Sequence, residues 1–234
     1  VARRGAGAWL ALLTLGLPLA ARAQVAASVT LQSDYRYRGY TLTDRKAALA
    51  LNLAYDHASG LYAGGTAFTA DTTGYGPKVR GEVGYVGYAV RSGLGPTLDL
   101  GVSRSRFVSY RTRKHVAAFT EAYVGLAGDH LSARVAYSPK YLGQNVQTAY
   151  LDLGAVYRPA PNWRLFAHAG ALVPLRQANP IGLHKRYDLS AGAARRIRAC
   201  ELSAFWTYIS PDLVYANGRR AERNALVVSA AYFF

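Results

Sequence analysis

Charged residues recur at alternate positions inside otherwise apolar segments, and this spacing is where the chain could do chemistry. Asp34, Arg36 and Arg38 stand two apart, as do Lys78, Arg80 and Glu82. Asp99, Glu121, Arg134, Asp152, Arg164, His168, Asp188, Arg196 and Glu201 sit within further segments of the same kind. A period of two places each set on one face of a strand. If those faces enclose a narrow lumen, two outcomes follow. Either the charges create a transverse field that selects charged hydrophilic solutes, or opposite signs pair across the interior and plug it. Both need partners for each charge, because an isolated buried ion is very costly.

Catalysis is the rival chemistry. A Ser/His/acid site needs its three groups within hydrogen-bond reach. His57 and His130 fall in expected turns, and His115 and His184 fall near longer loops. His168 alone is mid-strand, turned inward between Phe166 and Gly170, where Glu121 or Ser190 could meet it. No spacing specifies that meeting, so His168 is expected to be a polar filler and the chain no enzyme. No metal-ligand spacing is present, and no cofactor is expected. Gly81, Gly84 and Gly87 recur every third residue within a strand. That is no phosphate loop; they should ease strand curvature or make room for aromatic neighbours.

The elements that must position these groups are strands. Alternation without helical period recurs at 27–38, 46–57, 60–71, 78–90, 96–107, 115–127, 130–140, 147–158, 163–173, 186–198, 200–209 and 223–234. Each segment is near the roughly 9–11 residues that a tilted strand needs to cross a bilayer. Tight turns are expected at 57–60, 91–95, 128–130, 159–162 and 198–199, and longer connections between the other pairs. Short turns at one end and longer loops at the other predict an all-β, antiparallel up-and-down transmembrane barrel of about twelve strands. Both termini would then be periplasmic. Leu49, Leu51, Leu53 and Tyr55 share one face, opposite Ala48, Ala50, Asn52 and Ala54. A soluble sandwich would alternate too, but open edges are not tolerated in lipid, and tyrosine and tryptophan near strand ends suit interfacial girdles.

Both ends of the chain agree with export. Arg3 and Arg4, an apolar run from Trp9 to Ala20, and Ala21-Arg22-Ala23 form the layout of a cleaved signal peptide over residues 1–23. Residues 24–234 remain as one outer-membrane barrel domain of a Gram-negative bacterium. Its last segment carries Leu226, Val228, Ala230, Tyr232 and Phe234 on one face. This suits the closing strand of the barrel and a handle for the outer-membrane assembly machinery. Cys200 is the only cysteine, which excludes an intramolecular disulfide.

The formal charge of +15 includes Arg3, Arg4 and Arg22 of the leader, which leaves +12. An exported chain does not routinely meet nucleic acid, so lipopolysaccharide or an anionic solute is the expected counter-charge. Arg45, Lys46, Arg104, Arg106, Arg111, Arg113, Lys114, Lys185, Arg186, Arg219, Arg220 and Arg223 lie in or beside the longer loops. They could steer anions or dock the phosphates of lipopolysaccharide, for which guanidinium geometry is suited.

Several stretches resemble the TorF family of proteobacterial porins. They are VTLQSDYRYRGYTLTD (29–44), LNLAYDHASGLYAGG (51–65), LSARVAYSPKYLG (131–143), NWRLFAHAGAL (162–172) and YDLSAGAARRIRACELSAFWTYIS (187–210). The most specific pieces are S-D-Y-R-Y-R-G, from Ser33 to Gly39, and Y-S-P-x-Y, from Tyr137 to Tyr141. The resemblance implies an outer-membrane pore. The expectation is passive diffusion of small hydrophilic, anionic solutes, with outer-membrane lipid around the barrel. The alternative is a non-conducting barrel whose basic outer face binds lipopolysaccharide or an envelope partner.

Overall fold

Residue alternation closes the chain on itself. The computed structural model describes residues 24–234 apart from 72, 73, 75, 92, 94, 109–115, 176–182 and 211–222. The expected leader lies outside the described residues, as do Arg111, Arg113, Lys114, Arg219 and Arg220. The wall begins with β1 (Gln24–Gln32), and two short strands follow it, β2 (Arg36–Tyr37) and β3 (Tyr40–Thr41). The wall resumes with β4 (Ala48–Asp56), β5 (Leu61–Ala70), β6 (Lys78–Arg91) and β7 (Thr97–Val108). It continues through β8 (Val116–Ala127), β9 (Leu131–Ser138), β10 (Thr148–Tyr157) and β11 (Trp163–Pro174). The last staves are β12 (Arg186–Ile197), β13 (Cys200–Ser210) and β14 (Asn224–Phe233).

Every wall strand pairs antiparallel with its neighbours, and β14 returns to β1, giving a closed barrel of twelve strands. Val29 stands opposite Tyr232, and the Phe234 N–H donates to the Ala27 carbonyl at 3.1 Å. Closure leaves no unpaired edge, which is what lets a sheet sit in lipid.

The outer face is apolar. Leu49, Leu51 and Leu53 on β4, Leu151 and Leu153 on β10, and Leu226 and Val228 on β14 all point away from the lumen. Aromatics band this surface near the strand ends, with Trp206 stacked on Tyr208 and Tyr232 set edge-on to Phe234. The inner face carries Ser28, Thr30, Asn52 and Thr66, joined by hydrogen bonds from the Asn52 amide to the Ser28 hydroxyl and from the Thr66 hydroxyl to Asn52 Oδ1. Polar inside and apolar outside inverts the soluble pattern.

The tight turns carry their own chemistry. Between β4 and β5, the His57 N–H donates to the Leu61 carbonyl, and Gly60 adopts φ +95°. A side chain there would collide with the Ala89 carbonyl, so glycine is required twice over.

The first wall strand is shorter than alternation predicts. It stops at Gln32 rather than Arg38, because residues 33–43 leave the wall and fold into the barrel, and 44–47 lead back to β4 at its rim. A second departure lies in β6. A β-bulge inserts Arg80 between Val79 and Gly81, opposite Phe68 and Thr69, and one extra residue inverts the parity beyond it. Arg80 and Gly81 are buried, whereas Glu82 turns outward, opposite Arg106. Glu82 is therefore not a lumen residue. Lys78 is exposed where β6 begins.

Gly81 and Gly87 make room for rings, whereas a Cβ on Gly84 would meet nothing within 4 Å. A side chain on Gly81 would strike Phe68 and Phe107, and one on Gly87 would strike Tyr62. Gly81→Val should force Phe68 from its site and cost about 1–3 kcal/mol, the usual range for overpacking. Heat-modifiable gel mobility would register this as unfolding at a lower temperature.

Candidate functional site: a hairpin across the lumen

The segment that leaves the wall is the most specific motif of the sequence. Ser33 anchors it to β14: its N–H donates to the Val228 carbonyl at 3.0 Å, and its hydroxyl accepts the Val228 N–H at 3.1 Å. Arg36 pairs with Thr41 and Tyr37 with Tyr40, leaving Arg38 and Gly39 as a two-residue turn. Both have positive φ, +50° and +72°, as a type I′ hairpin turn demands. Gly39 takes this geometry freely, whereas Arg38 is held in it against its own preference.

Asp34 organises the hairpin from within. Its carboxylate accepts from Arg36 Nε at 2.6 Å, the Thr41 hydroxyl at 2.5 Å and the Thr43 hydroxyl at 3.1 Å. Thr43 in turn accepts the Tyr35 N–H at 3.0 Å. Arg36 Nη1 donates to the Gly39 carbonyl at 3.0 Å. Tyr35, Asp34 and Thr43 are almost fully buried, so the charge of Asp34 is met by a cation and two hydroxyls, as burial requires.

The hairpin crosses the barrel. At one side Tyr35 stacks on Phe68 of β5, with ring centroids 3.9 Å apart. Tyr37 lies 4.9 Å from Phe107 of β7. Arg38 Nη2 donates to Glu121 Oε2 of β8 at 2.6 Å, and its guanidinium sits 3.7 Å from the Tyr150 ring of β10. At the far side the turn touches β12 and β13. A Cβ on Gly39 would come within 3.0 Å of Asp188, Ile209 and the Tyr208 carbonyl. β5 and β12 stand nearly opposite in the closed strand order. The second specific motif joins the same cluster. The 3-10 turn Tyr141–Gly143 drives Tyr141 inward, 4.7 Å from Phe119. Burial pushes the Tyr37 and Tyr141 phenols up, so both stay neutral beside the Arg38–Glu121 pair.

Beyond the hairpin the lumen is polar. Arg134 pairs with Asp99, which also accepts the Tyr62 phenol, and Tyr62 contacts the Tyr123 hydroxyl at 2.7 Å. Arg164 Nη2 donates to Glu201 Oε1 at 2.5 Å. His168 places Nε2 2.8 Å from Asp188 Oδ1 and Nδ1 3.3 Å from Asp152 Oδ1, and the Tyr150 phenol lies 3.2 Å from Nε2. These described contacts join His168 to two carboxylates and a phenol. Glu121, considered as its partner, is engaged by Arg38 instead. Of the inward arginines, Arg80 and Arg196 have no carboxylate partner among the described residues and leave guanidinium nitrogens unsatisfied. Arg80 leaves Nε and Nη2 buried without acceptors, and Arg196 leaves Nη1 so.

Asp34, Arg36 and Arg38 thus face the interior, but from a hairpin rather than from the wall. Arg104 and Arg106, expected beside loops, stand on β7 itself and face outward. Arg45, Lys46, Lys185 and Arg223 are exposed at the barrel end away from the termini, with Arg186 half-buried at the start of β12.

An apolar-jacketed, twelve-stranded closed barrel with a polar interior and an inward-folded segment defines the fold class of porin-like β-barrels. The solved NanC porin is similar in fold, with a TM-score of 0.58 at 10% identity over 89% of this chain and 99% of that one. The KdgM porin follows at 0.54 and 10% identity, over 91% of this chain and 99% of that one. A KdgM porin in complex with disordered oligogalacturonate matches equally well. No curated protein matches the sequence. The chain belongs to the family described as bacterial protein of unknown function (Gcw_chp), whose pattern matches residues 19–231. The family match does not carry the TorF designation that the motifs resemble.

Proposed function

We propose that this protein is a narrow outer-membrane channel for small hydrophilic anions, with the Ser33–Gly39 hairpin as its constriction. The observation that carries this reading is the contrast within the lumen. On one side of the hairpin an aromatic cluster narrows the passage; on the other a charged, hydrogen-bonded lining continues along the wall. Solute crossing that region is stripped of part of its hydration and needs polar replacement, which Arg134, Arg164, Tyr62 and Tyr123 supply. The anion preference rests on Arg80, whose Nε and Nη2 lack acceptors, on Arg196, whose Nη1 lacks one, and on the basic residues at the mouth. The oligogalacturonate of the KdgM complex is a polyanionic sugar, and a carboxylated sugar is the solute class this lining suits. In this reading residues 1–23 are a cleaved leader, the termini are periplasmic, and the hairpin end faces outward from the cell.

Planar-bilayer recording tests the proposal. The folded barrel should conduct in small steps, and a salt gradient should give a reversal potential of anion-selective sign. Cation preference would contradict the role of the arginines. The packing of Tyr35 on Phe68 favours a second reading, a barrel closed by its hairpin that works through its basic outer surface. A folded barrel that carries no current would select that reading.

A further inference from the structure

Among the described residues, one stretch of the outer wall combines a shallow groove with two charged arginines. Along one cross-strand row the outward residues are Leu53, Gly65, Gly84 and Arg104. In the next row they are Leu51, Ala67, Glu82 and Arg106. Two adjacent glycines and an alanine beside the leucines of β4 leave a groove of about 670 Å³. Leucines of β4 wall it on one side and the arginines of β7 on the other.

The charges on this wall are unequal. Arg106 Nη1 reaches Glu82 Oε1 at 3.5 Å, whereas among the described residues Arg104 meets no carboxylate and its Nη1 donates to the Thr120 hydroxyl at 3.1 Å. An arginine on a lipid-facing strand is costly unless it finds an anion or reaches the headgroup layer. Arg104 stands four residues before Val108, the last residue of β7, at the barrel end away from the termini. From there its side chain can extend along the wall to that layer.

We propose that the groove seats an acyl chain of a lipid with a net-anionic phosphate headgroup, the chemistry of lipid A, with Arg104 holding the phosphate and Arg106 beside it. The shape fits a chain and the charge fits its headgroup, since guanidinium binds phosphate through paired donors. A second copy of the barrel fits less well. A two-fold axis along the membrane normal would face these arginines with the partner copy's leucines, desolvating them without a counter-charge. The proposal does not depend on conduction; a silent barrel can hold the lipid equally.

Native mass spectrometry of the full folded chain, released from micelles containing diphosphoryl lipid A and phosphatidylcholine, tests it. The wild-type barrel should retain one lipid A in preference to phosphatidylcholine. A Cβ on Gly84 meets nothing within 4 Å, so Gly84→Leu fills the groove without displacing the wall. Arg104→Gln removes the unpaired charge and leaves no buried carboxylate behind. Each should lower lipid A retention roughly tenfold, about the loss of one charge-assisted hydrogen bond, while heat-modifiable mobility stays that of a folded barrel. Equal retention of phosphatidylcholine by the wild type would overturn the proposal. So would unchanged lipid A retention in both variants, or a dimer that Gly84→Leu abolishes.

Discussion

Replacing residues 34–43 with a short glycine-serine linker should raise single-channel conductance severalfold and leave the barrel closed. The closure half of this expectation follows from register. Gln32 at the end of β1 stands directly opposite Ala48 at the start of β4, so a hairpin loop of a few residues can join them. The wall does not need the inserted segment. The conductance half follows from what the segment touches, from Phe68 on one side of the lumen to Asp188 and Ile209 nearly opposite. Arg38→Ala is the milder version. It leaves the Glu121 carboxylate buried without its cation, an arrangement that costs about 3–5 kcal/mol. The hairpin should then loosen, and the current should flicker between levels instead of holding one. Unchanged conductance in the linker variant would show that the hairpin does not set the passage.

Removing two uncompensated lumen charges, Arg80 and Arg196, should weaken anion selectivity while leaving the fold intact. Arg80→Gln and Arg196→Gln orphan no carboxylate among the described residues, which distinguishes them from changes at Arg38, Arg134 or Arg164. A unit charge about 8 Å from the permeating ion contributes about 0.5 kcal/mol in water-like surroundings and about 2 kcal/mol at an effective dielectric of 20. Anion permeability should therefore fall by between about twofold and about thirtyfold per charge while cation permeability rises, read as a reversal potential moving towards zero. An unmoved reversal potential in the double variant would remove these arginines from the account and leave the mouth as the source of any preference.

The wall was legible in the sequence because its two faces make opposite demands at every second residue. Leu49, Leu51 and Leu53 must meet lipid while Ala50 and Asn52 must fit a crowded interior, so the strand boundaries fall within a few residues of those expected. The β1–β14 closure was legible for the same reason. The hairpin was not. Asp34, Arg36 and Arg38 alternate as well as any strand, and the bonds that lift them off the wall join Asp34 to Thr41 and Thr43 and Arg38 to Glu121. Those are contacts at distances along the chain that no local pattern encodes. The Arg38-Gly39 pair was the available signal, since glycine after a polar residue suits a type I′ turn. Glu82 was misplaced by a single inserted residue. A bulge changes parity without changing composition, and only the crowding of Phe68 and Phe107 over Gly81 marks where it falls. The cluster of Tyr35, Phe107, Phe119 and Tyr141 is likewise a product of closure, assembled from strands and loops distant in the chain.

Proteoliposome swelling most directly tests whether this barrel is an anion-preferring channel. Vesicles bearing the folded protein are diluted into isotonic galactose or into isotonic galacturonate, sugars of nearly equal size that differ by a carboxylate. The account predicts swelling in both, faster in galacturonate, and faster still in both when residues 34–43 are replaced. Vesicles that swell in neither sugar, or that admit galactose faster than galacturonate, would contradict it.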